Sequence, residues 1–377
     1  MGRVASPFVL LAVIAFAHFI NDWYSLLIAP ALPLIRKLFA INYFQAGLLL
    51  SIPYFVSAVL QSPVAHIAER YALRRIILAA GFFVLSCAYF LFWLSNSYVT
   101  ALLATLFIGL GLSSYHPQGM GILSGVFAKR KGMAIGINGI GGALGYFFAP
   151  VSMGFLLSRY AKDAFLLVTV PGLIIGMLLL WLVRIEEKPI KEKLSSTITP
   201  NLVALGFIAI VVPFFSRGIS SFLPAYFYAK GFTILNANLR ASVMLIAGII
   251  AQPLGGFISD KLGRRATISF SYALMGVFLL LFIHTLSMVF LFFMGFFMSL
   301  SIPVRHAFAA EIGGSKVNTN IAVVFGMVMI ASSVAPGMVG ALVDRFGFST
   351  AFSVNAFIAF IGSASVWLIG REKGRGF

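Results

Sequence analysis

Apolar runs of about twenty residues recur from one end of this 377-residue chain to the other. A helix rises 1.5 Å per residue, so each run is long enough to cross about 30 Å of hydrocarbon. One such run can be hidden inside a soluble core, but a dozen cannot. Only 10% of the residues are charged and 60% are hydrophobic, against roughly 25% charged in soluble domains. The pattern predicts an all-α polytopic membrane protein with twelve transmembrane helices. The expected spans are 7–30, 43–66, 76–95, 98–127, 133–158, 164–184, 201–229, 240–259, 267–285, 287–311, 318–343 and 350–369.

A net charge of +17 raises nucleic acid as a partner, and the placement of the charges removes it. With the N-terminus inside, 18 of the 27 Lys and Arg fall on the cytoplasmic side, in clusters such as Arg70, Arg74, Arg75 and Lys129, Arg130, Lys131. Seven fall outside, and Arg217 and Arg305 lie within spans. That bias predicts both termini in the cytoplasm of a multi-pass protein of the cell (plasma or inner) membrane. The excess charge then serves topology and attraction to anionic lipid. The first apolar run is too long for a signal peptide and carries His18 and Asp22. The single cysteine, Cys87, has no partner for an intrachain disulfide.

The chain repeats itself. QSPVAHIAERYALRR (61–75) is matched by AQPLGGFISDKLGRR (251–265), with Gln61 and Glu69 recurring as Gln252 and Asp260. Leu32-Pro33 recurs as Leu223-Pro224, His116 as His306, and Ala149-Pro150 with Gly154 as Ala335-Pro336 with Gly340. The order is kept along both copies. It predicts two six-helix halves, 1–183 and 201–377, joined by a charged cytoplasmic linker over 184–200. Parallel six-helix repeats are the plan of the major facilitator fold. GGFISDKLGRR (255–265) is similar to that superfamily's signature loop, and VAHIAERYALRR is a degenerate first copy. Glu69, Arg70, Asp260 and Arg264 are expected to act as gating residues away from substrate. Gly256 is expected to permit close helix contact.

Polar groups inside the spans mark a candidate site. His18, Asn21, Asp22 and Ser25 fall at i, i+3, i+4 and i+7, on one face of span 1. Lipid would penalise such a face, by roughly 2.5–3.5 kcal/mol for a central Asp or Arg, so it points inward. Span 4 carries SSYHPQG, where Pro117 breaks the helix beside His116. Span 7 carries Arg217, span 10 Arg305 and His306, span 5 Asn138 and span 12 Asn355. Asp22 is the candidate proton carrier, with His18 tuning it. Asn21, Tyr24, Tyr115, His116, Gln118, Asn138, Arg217, Arg305 and His306 are the candidate substrate contacts. Arginine offers forked donors to an anionic group, and the tyrosines would flank an apolar body.

No His/Cys/Glu cluster shows metal-ligand spacing, and no P-loop is present. Neither a metal nor a cofactor is expected. No nucleophile–base pair stands at useful spacing, so the chain is not read as an enzyme. The glycine-rich stretch GIGGALG (139–145) lies within span 5 and follows no strand, which rules out a nucleotide loop.

HFIND (18–22), YHPQG (115–119), Gln61…Pro63 and GGALG…P (141–150) together resemble the fosmidomycin-resistance branch of the major facilitator superfamily. Spans 1, 4, 7 and 10 line the central cavity in that fold. The resemblance implies a secondary active transporter working by alternating access, by preference a monomeric proton-coupled antiporter. It would export a small anionic or amphiphilic compound. A proton-coupled symporter importing an organic anion would use the same residues. The branch carries an acid directly after His-Pro, where this chain has Gln118. Tyr146 stands where the drug antiporters have a proline after the last glycine.

Overall fold

The computed structural model describes residues 6–184, 200–313 and 317–368. Ten helical stretches among them are long and apolar enough to cross a membrane. One of the ten, Met327–Leu368, holds parts of two helices separated at Gly347, whose φ of 78° and ψ of 171° no helix contains. The shorter apolar helix Thr169–Leu182 makes the twelfth crossing. In chain order they are α1 (Pro7–Phe39), α2 (Tyr43–Arg70), α3 (Arg74–Leu94), α4 (Tyr98–Val126), α5 (Lys131–Tyr160) and α6 (Thr169–Leu182). Then follow α7 (Pro200–Ala229), α8 (Ile234–Leu262), α9 (Arg264–Thr285), α10 (Met288–Gly313), α11 (317–346) and α12 (348–365). The expected linker lies, apart from its two end residues, outside the described residues, as do both chain ends.

Two crossings are broken, and proline explains where they resume. α1 is made of Pro7–Leu26 and Ile28–Phe39, and α4 of Tyr98–Leu112 and Tyr115–Val126. Pro30 and Pro117 each occupy the third residue of the second piece. There a missing N–H costs nothing, because the first turn has no intrahelical acceptor for it. The break expected beside His116 therefore falls at Ser113–Ser114. The first crossing also runs on to Phe39, well past the expected end at residue 30.

Glycine fixes how closely α5 lies on α1. A Cβ on Gly141 would sit 2.2 Å from the Ala15 carbonyl oxygen, and one on Gly145 2.3 Å from that of Phe19. Only bare backbones can approach so far, and in lipid this close packing substitutes for a hydrophobic driving force. The GIGGALG run is thus a packing face. The close contact expected at Gly256 falls one residue earlier. Gly256 faces open space, whereas a Cβ on Gly255 would meet the Leu300 carbonyl oxygen at 2.1 Å.

The first six helices meet the last six mainly through α2 with α11 and α5 with α8. Described polar contacts between the sets gather toward the end that carries residues 40–43 and 344–347. There Asp344 accepts from the backbone N–H of Tyr43 at 2.9 Å and of Phe44 at 2.7 Å. Asn238 donates to the Pro30 carbonyl at 3.2 Å, and the Gly337 N–H to Ser51 at 3.1 Å. Toward the opposite end, Gly132, Gly136 and Gly139 of α5 have nothing within 4 Å of a Cβ position. The described polar contacts close the bundle at one end.

Candidate functional site

The face read on α1 is buried and densely paired. His18, Asn21 and Asp22 are all under a tenth exposed. His18 Nδ1 lies 2.7 Å from the backbone carbonyl of Asn138 on α5. A carbonyl only accepts, so Nδ1 carries the proton and Nε2 is turned to Asp22 Oδ2, 3.2 Å away. Nε2 and a carboxylate oxygen cannot face one another as two lone pairs. The contact calls for a proton between them. Asn21 Nδ2 donates to Asp22 Oδ1 at 3.0 Å, and His116 Nε2 of α4 stands 3.8 Å from that oxygen.

The surroundings hold this arrangement in place. Tyr115 stacks on His18 with ring centroids 4.8 Å apart, and His116 meets it edge-on at 5.4 Å. The Tyr115 hydroxyl reaches the Ile14 carbonyl at 2.9 Å and Asn138 Oδ1 at 2.8 Å. Gly142 makes the fit possible, because a Cβ there would lie 2.6 Å from Asp22 Oδ2 and 2.7 Å from His18 Cε1. Asn21, Tyr115, His116 and Asn138, expected at the substrate, instead gather around His18 and Asp22. The spacing argument against any His/Asp cluster is also corrected. One donor atom each of His18, Asp22 and His116 lie within 4.8 Å of one another. The fold brings α4 to α1, which sequence spacing cannot foresee. Both the Nδ1–H bond to Asn138 and the Asn21 bond to Oδ1 suit a proton site.

A cavity of about 240 Å³ lies beside this cluster, between α7, α8, α10 and α11, with Leu26, Ala143 and Tyr146 as its wall from the first six helices. Arg217 and Arg305 line it, and no acid does among the described residues. Ser216, Ser220, Gln252, Ser299 and Ser332 add polar groups, while Met244, Leu245, Met298 and Ile302 are its main apolar surface. Arg305 is anchored by a defect in α7. Pro213 has no N–H to give the Ala209 carbonyl one turn earlier, and Arg305 Nη1 takes that oxygen at 2.6 Å. Its Nε is buried with no hydrogen-bond partner among the described residues. Arg217 Nη2 donates to the Tyr146 hydroxyl at 2.8 Å. Its guanidinium also lies over the Tyr54 ring, 4.4 Å from the centroid.

Of the expected substrate contacts among the described residues, Arg217 and Arg305 alone line the cavity. Tyr24 is fully buried against α3 and α6. Its hydroxyl donates to the Val168 carbonyl at 2.6 Å and accepts the Gly172 N–H at 2.8 Å. Every polar role of that hydroxyl is filled by packing, which corrects its expected place beside substrate. Gln118 is fully buried, and neither amide atom has a partner among the described residues. The His306 side chain lies outside the described residues. Sequence reading missed Tyr54, Tyr146 and Gln252 as cavity-associated groups. Two carried a signal: Tyr146 stood where a proline was expected, and Gln252 was an amide matched by Gln61 in the repeat.

Both repeated loops carry an acid paired with an arginine. Glu69 meets Arg74 at 3.0 Å, and Asp260 meets Arg264 at 2.6 Å, with Arg264 also donating to Ser259. Arg70 lies over the ring of its neighbour Tyr71 at 5.5 Å.

Twelve membrane crossings around a largely apolar cavity that two arginines line, closed at one end, define a multi-pass membrane transporter. The chain belongs to the Major Facilitator Superfamily, whose sequence profile matches residues 12–237 and 205–376. It is 23% identical to the fosmidomycin resistance protein of Escherichia coli (strain K12), over 97% of this chain and 94% of that one. It is 25% identical to the probable nitrate transporter NarT of Staphylococcus carnosus, over 67% of each. Its fold matches the crystal structure of a bacterial homolog of the human lysosomal transporter Spinster with a TM-score of 0.85. That match covers 98% of both chains at 17% identity.

Proposed function

We propose that this protein is a proton-coupled transporter, working by alternating access, of a small compound with an anionic group and an apolar body. The observation that carries the reading is the cavity's charge: two arginines line it without an acid among the described residues, and the buried Nε of Arg305 has no partner among them, its guanidinium meeting the neutral Ala209 carbonyl and Tyr272 hydroxyl. A buried unpaired donor costs about 1–3 kcal/mol, which an incoming phosphonate or carboxylate recovers. His18 and Asp22 carry the proton. Similarity to a protein named for fosmidomycin resistance favours export by proton antiport. The protein is read as a monomer in the cell membrane, with both termini cytoplasmic and the Glu69–Arg70 and Asp260–Arg264 loops as its gate. On that topology the closed end faces outward.

A second reading, import of an organic anion together with protons, is favoured by the placement of Arg217 between the Asp22 cluster and the cavity. A thermal-shift screen of the purified protein against small phosphonates, carboxylates and cationic drugs tests the substrate class. A true ligand raises the melting temperature as RT ln(1 + [L]/Kd). Stabilisation by phosphonates or carboxylates is expected, and stabilisation by cationic drugs alone would overturn the reading. Counterflow in vesicles under an imposed pH gradient then separates export from import.

A further inference from the structure

The cavity and the Asp22 cluster belong to different sets of helices, and one guanidinium stands between them. Arg217 is carried by α7 and lines the cavity. Its cage comes from the other set. Tyr146 of α5 accepts its hydrogen bond at 2.8 Å and presents its ring at 5.0 Å, and Tyr54 of α2 presents its ring at 4.4 Å. Tyr54 is tied to the turn of helix that holds Asp22. Its hydroxyl donates to the Ser25 carbonyl at 2.9 Å, and Ser25 Oγ donates to the Asp22 carbonyl at 2.8 Å. On α5, Gly142 lies against Asp22 Oδ2, with a Cβ position 2.6 Å from it, and Tyr146 follows one helical turn later.

We propose that Arg217 couples the two sites, sharing its positive charge between the Asp22 carboxylate and an anion in the cavity, with Tyr54 and Tyr146 as the residues that position it. The proposal rests on the reading of the cavity as an anion site and of Asp22 as the proton site. While Asp22 is ionised, the Arg217 guanidinium is drawn toward it. Once Asp22 is neutral, the side chain is free to shift toward the anion in the cavity. The groups facing Asp22 leave this route open. His18 and Asn21 come from α1 and His116 from α4, Tyr54 and Tyr146 are neutral, and Arg217 is the permanent cation among them. A proton on Asp22 and an anion in the cavity therefore strengthen each other's binding, and linkage makes the effect reciprocal. That is the sign co-transport needs, so the coupling argues for the import reading over export by antiport. An exchanger needs the two to exclude one another.

The test measures binding of phenylphosphonate to the purified full chain by calorimetry and thermal shift, at one pH, in wild type, Asp22→Asn, Arg217→Gln, their double variant and Tyr146→Phe. Direct repulsion from Asp22 across roughly 10 Å at an effective dielectric near 20 accounts for about tenfold in anion binding, and a gain from Asp22→Asn clearly larger than that is expected. Arg217→Gln weakens binding, and in that background the gain from Asp22→Asn falls to the part that direct repulsion supplies. Tyr146→Phe keeps the ring and removes only the hydroxyl, so it carries the test should Arg217→Gln not fold. Combined with Asp22→Asn, it is expected to lose at least half of the gain on a logarithmic scale. An equal gain with and without Arg217 would show direct repulsion between Asp22 and the anion and overturn the proposal. So would an Asp22→Asn variant that binds no tighter, or an undiminished gain in Tyr146→Phe. Failure of the underlying reading looks different: wild type binds no anion in the screen, or Arg305→Gln binds as wild type does.

Discussion

The two oxygens of Asp22 have different partners, and that difference sets its chemistry. Oδ2 faces His18 Nε2, while Oδ1 receives the Asn21 amide and faces His116. Asp22→Asn keeps the shape and removes the ionisable group. It is expected to abolish accumulation driven by a pH gradient and to leave exchange down the substrate's own gradient measurable, as read by tracer flux in proteoliposomes. Loss of both fluxes with intact folding would remove Asp22 from coupling and place it in binding. Gly142→Ala pushes a methyl group against both members of the pair. It is expected to reproduce the coupling defect with the carboxylate still present, and full coupling in that variant would count against the pair's geometry. Arg305→Gln removes the cavity cation that Pro213 positions. Anion binding should weaken by roughly 10- to 100-fold, with neutral analogues least affected, since such a contact contributes about 1.5–3 kcal/mol. The face of α1 was legible from helical spacing alone, because lipid forbids any other orientation for a histidine, an amide and a carboxylate. Their partners were not legible. The acceptor for His18 lies 120 positions along the chain, and nothing local selects Asn138 over any other amide.

At the scale of the helices, proline does much of the positioning. It restarts α1 and α4 after their breaks, and in α7 it leaves the Ala209 carbonyl free for Arg305. Pro213→Ala supplies the missing N–H and sets the helix against the arginine for that one oxygen. Two effects of opposite sign are expected. The melting temperature rises, because a proline inside a helix costs up to about 3 kcal/mol. Anion affinity falls, by about 3- to 10-fold, because Arg305 loses its anchor and must be ordered by the ligand instead. A variant that is both more stable and equally tight would show that Ala209 does not position Arg305. The crossings themselves were legible from the length of their apolar runs, and the repeat matched Glu69 with Asp260 before the two loops could be seen to carry similar acid–arginine pairs. The extension of the first crossing to Phe39 was hidden by Pro30 and Pro33, which read as an end until the break at Leu27 places Pro30 in a new first turn. The close contact at Gly255 was misassigned to Gly256, because a one-residue step turns a helix by 100° and the glycine pair alone does not say which member faces α10.

For the whole molecule, alternating access requires the closed end to open, and the contacts there set how readily it does so. Asp344 at the end of α11 caps the first two N–H groups of α2, which lies in the other set of helices. This is the favourable place for an anion, since the start of a helix gathers unsatisfied donors and the positive end of its dipole. The side chain of Tyr43 next to it is held between the guanidinium of Arg36 at 3.4 Å and the ring of Phe348 at 4.9 Å. The contacts that Asp344 and Phe348 make to α2 cross between the two sets and are lost when this end opens, whereas Arg36 and Tyr43 stay together in one set. Asp344→Asn keeps one acceptor oxygen and removes the charge. The site is exposed, so the cap contributes only about 1 kcal/mol, and its loss shifts the population toward opening there by roughly fivefold. A cysteine at Leu48, which lies under the α2–α11 contact near Gly337, reports the shift in a Cys87→Ser background. Labelling by a membrane-impermeant maleimide applied to that end should accelerate by the same factor in Asp344→Asn. Labelling of a cysteine at Ser220 in the cavity, from the opposite end, should slow where that end closes as this one opens. If both rates stay unchanged, the cap is local to α2, and closure rests on the packing of α2 against α11 and of α5 against α8. If both rise, the variant has loosened the bundle without exchanging one closed end for the other.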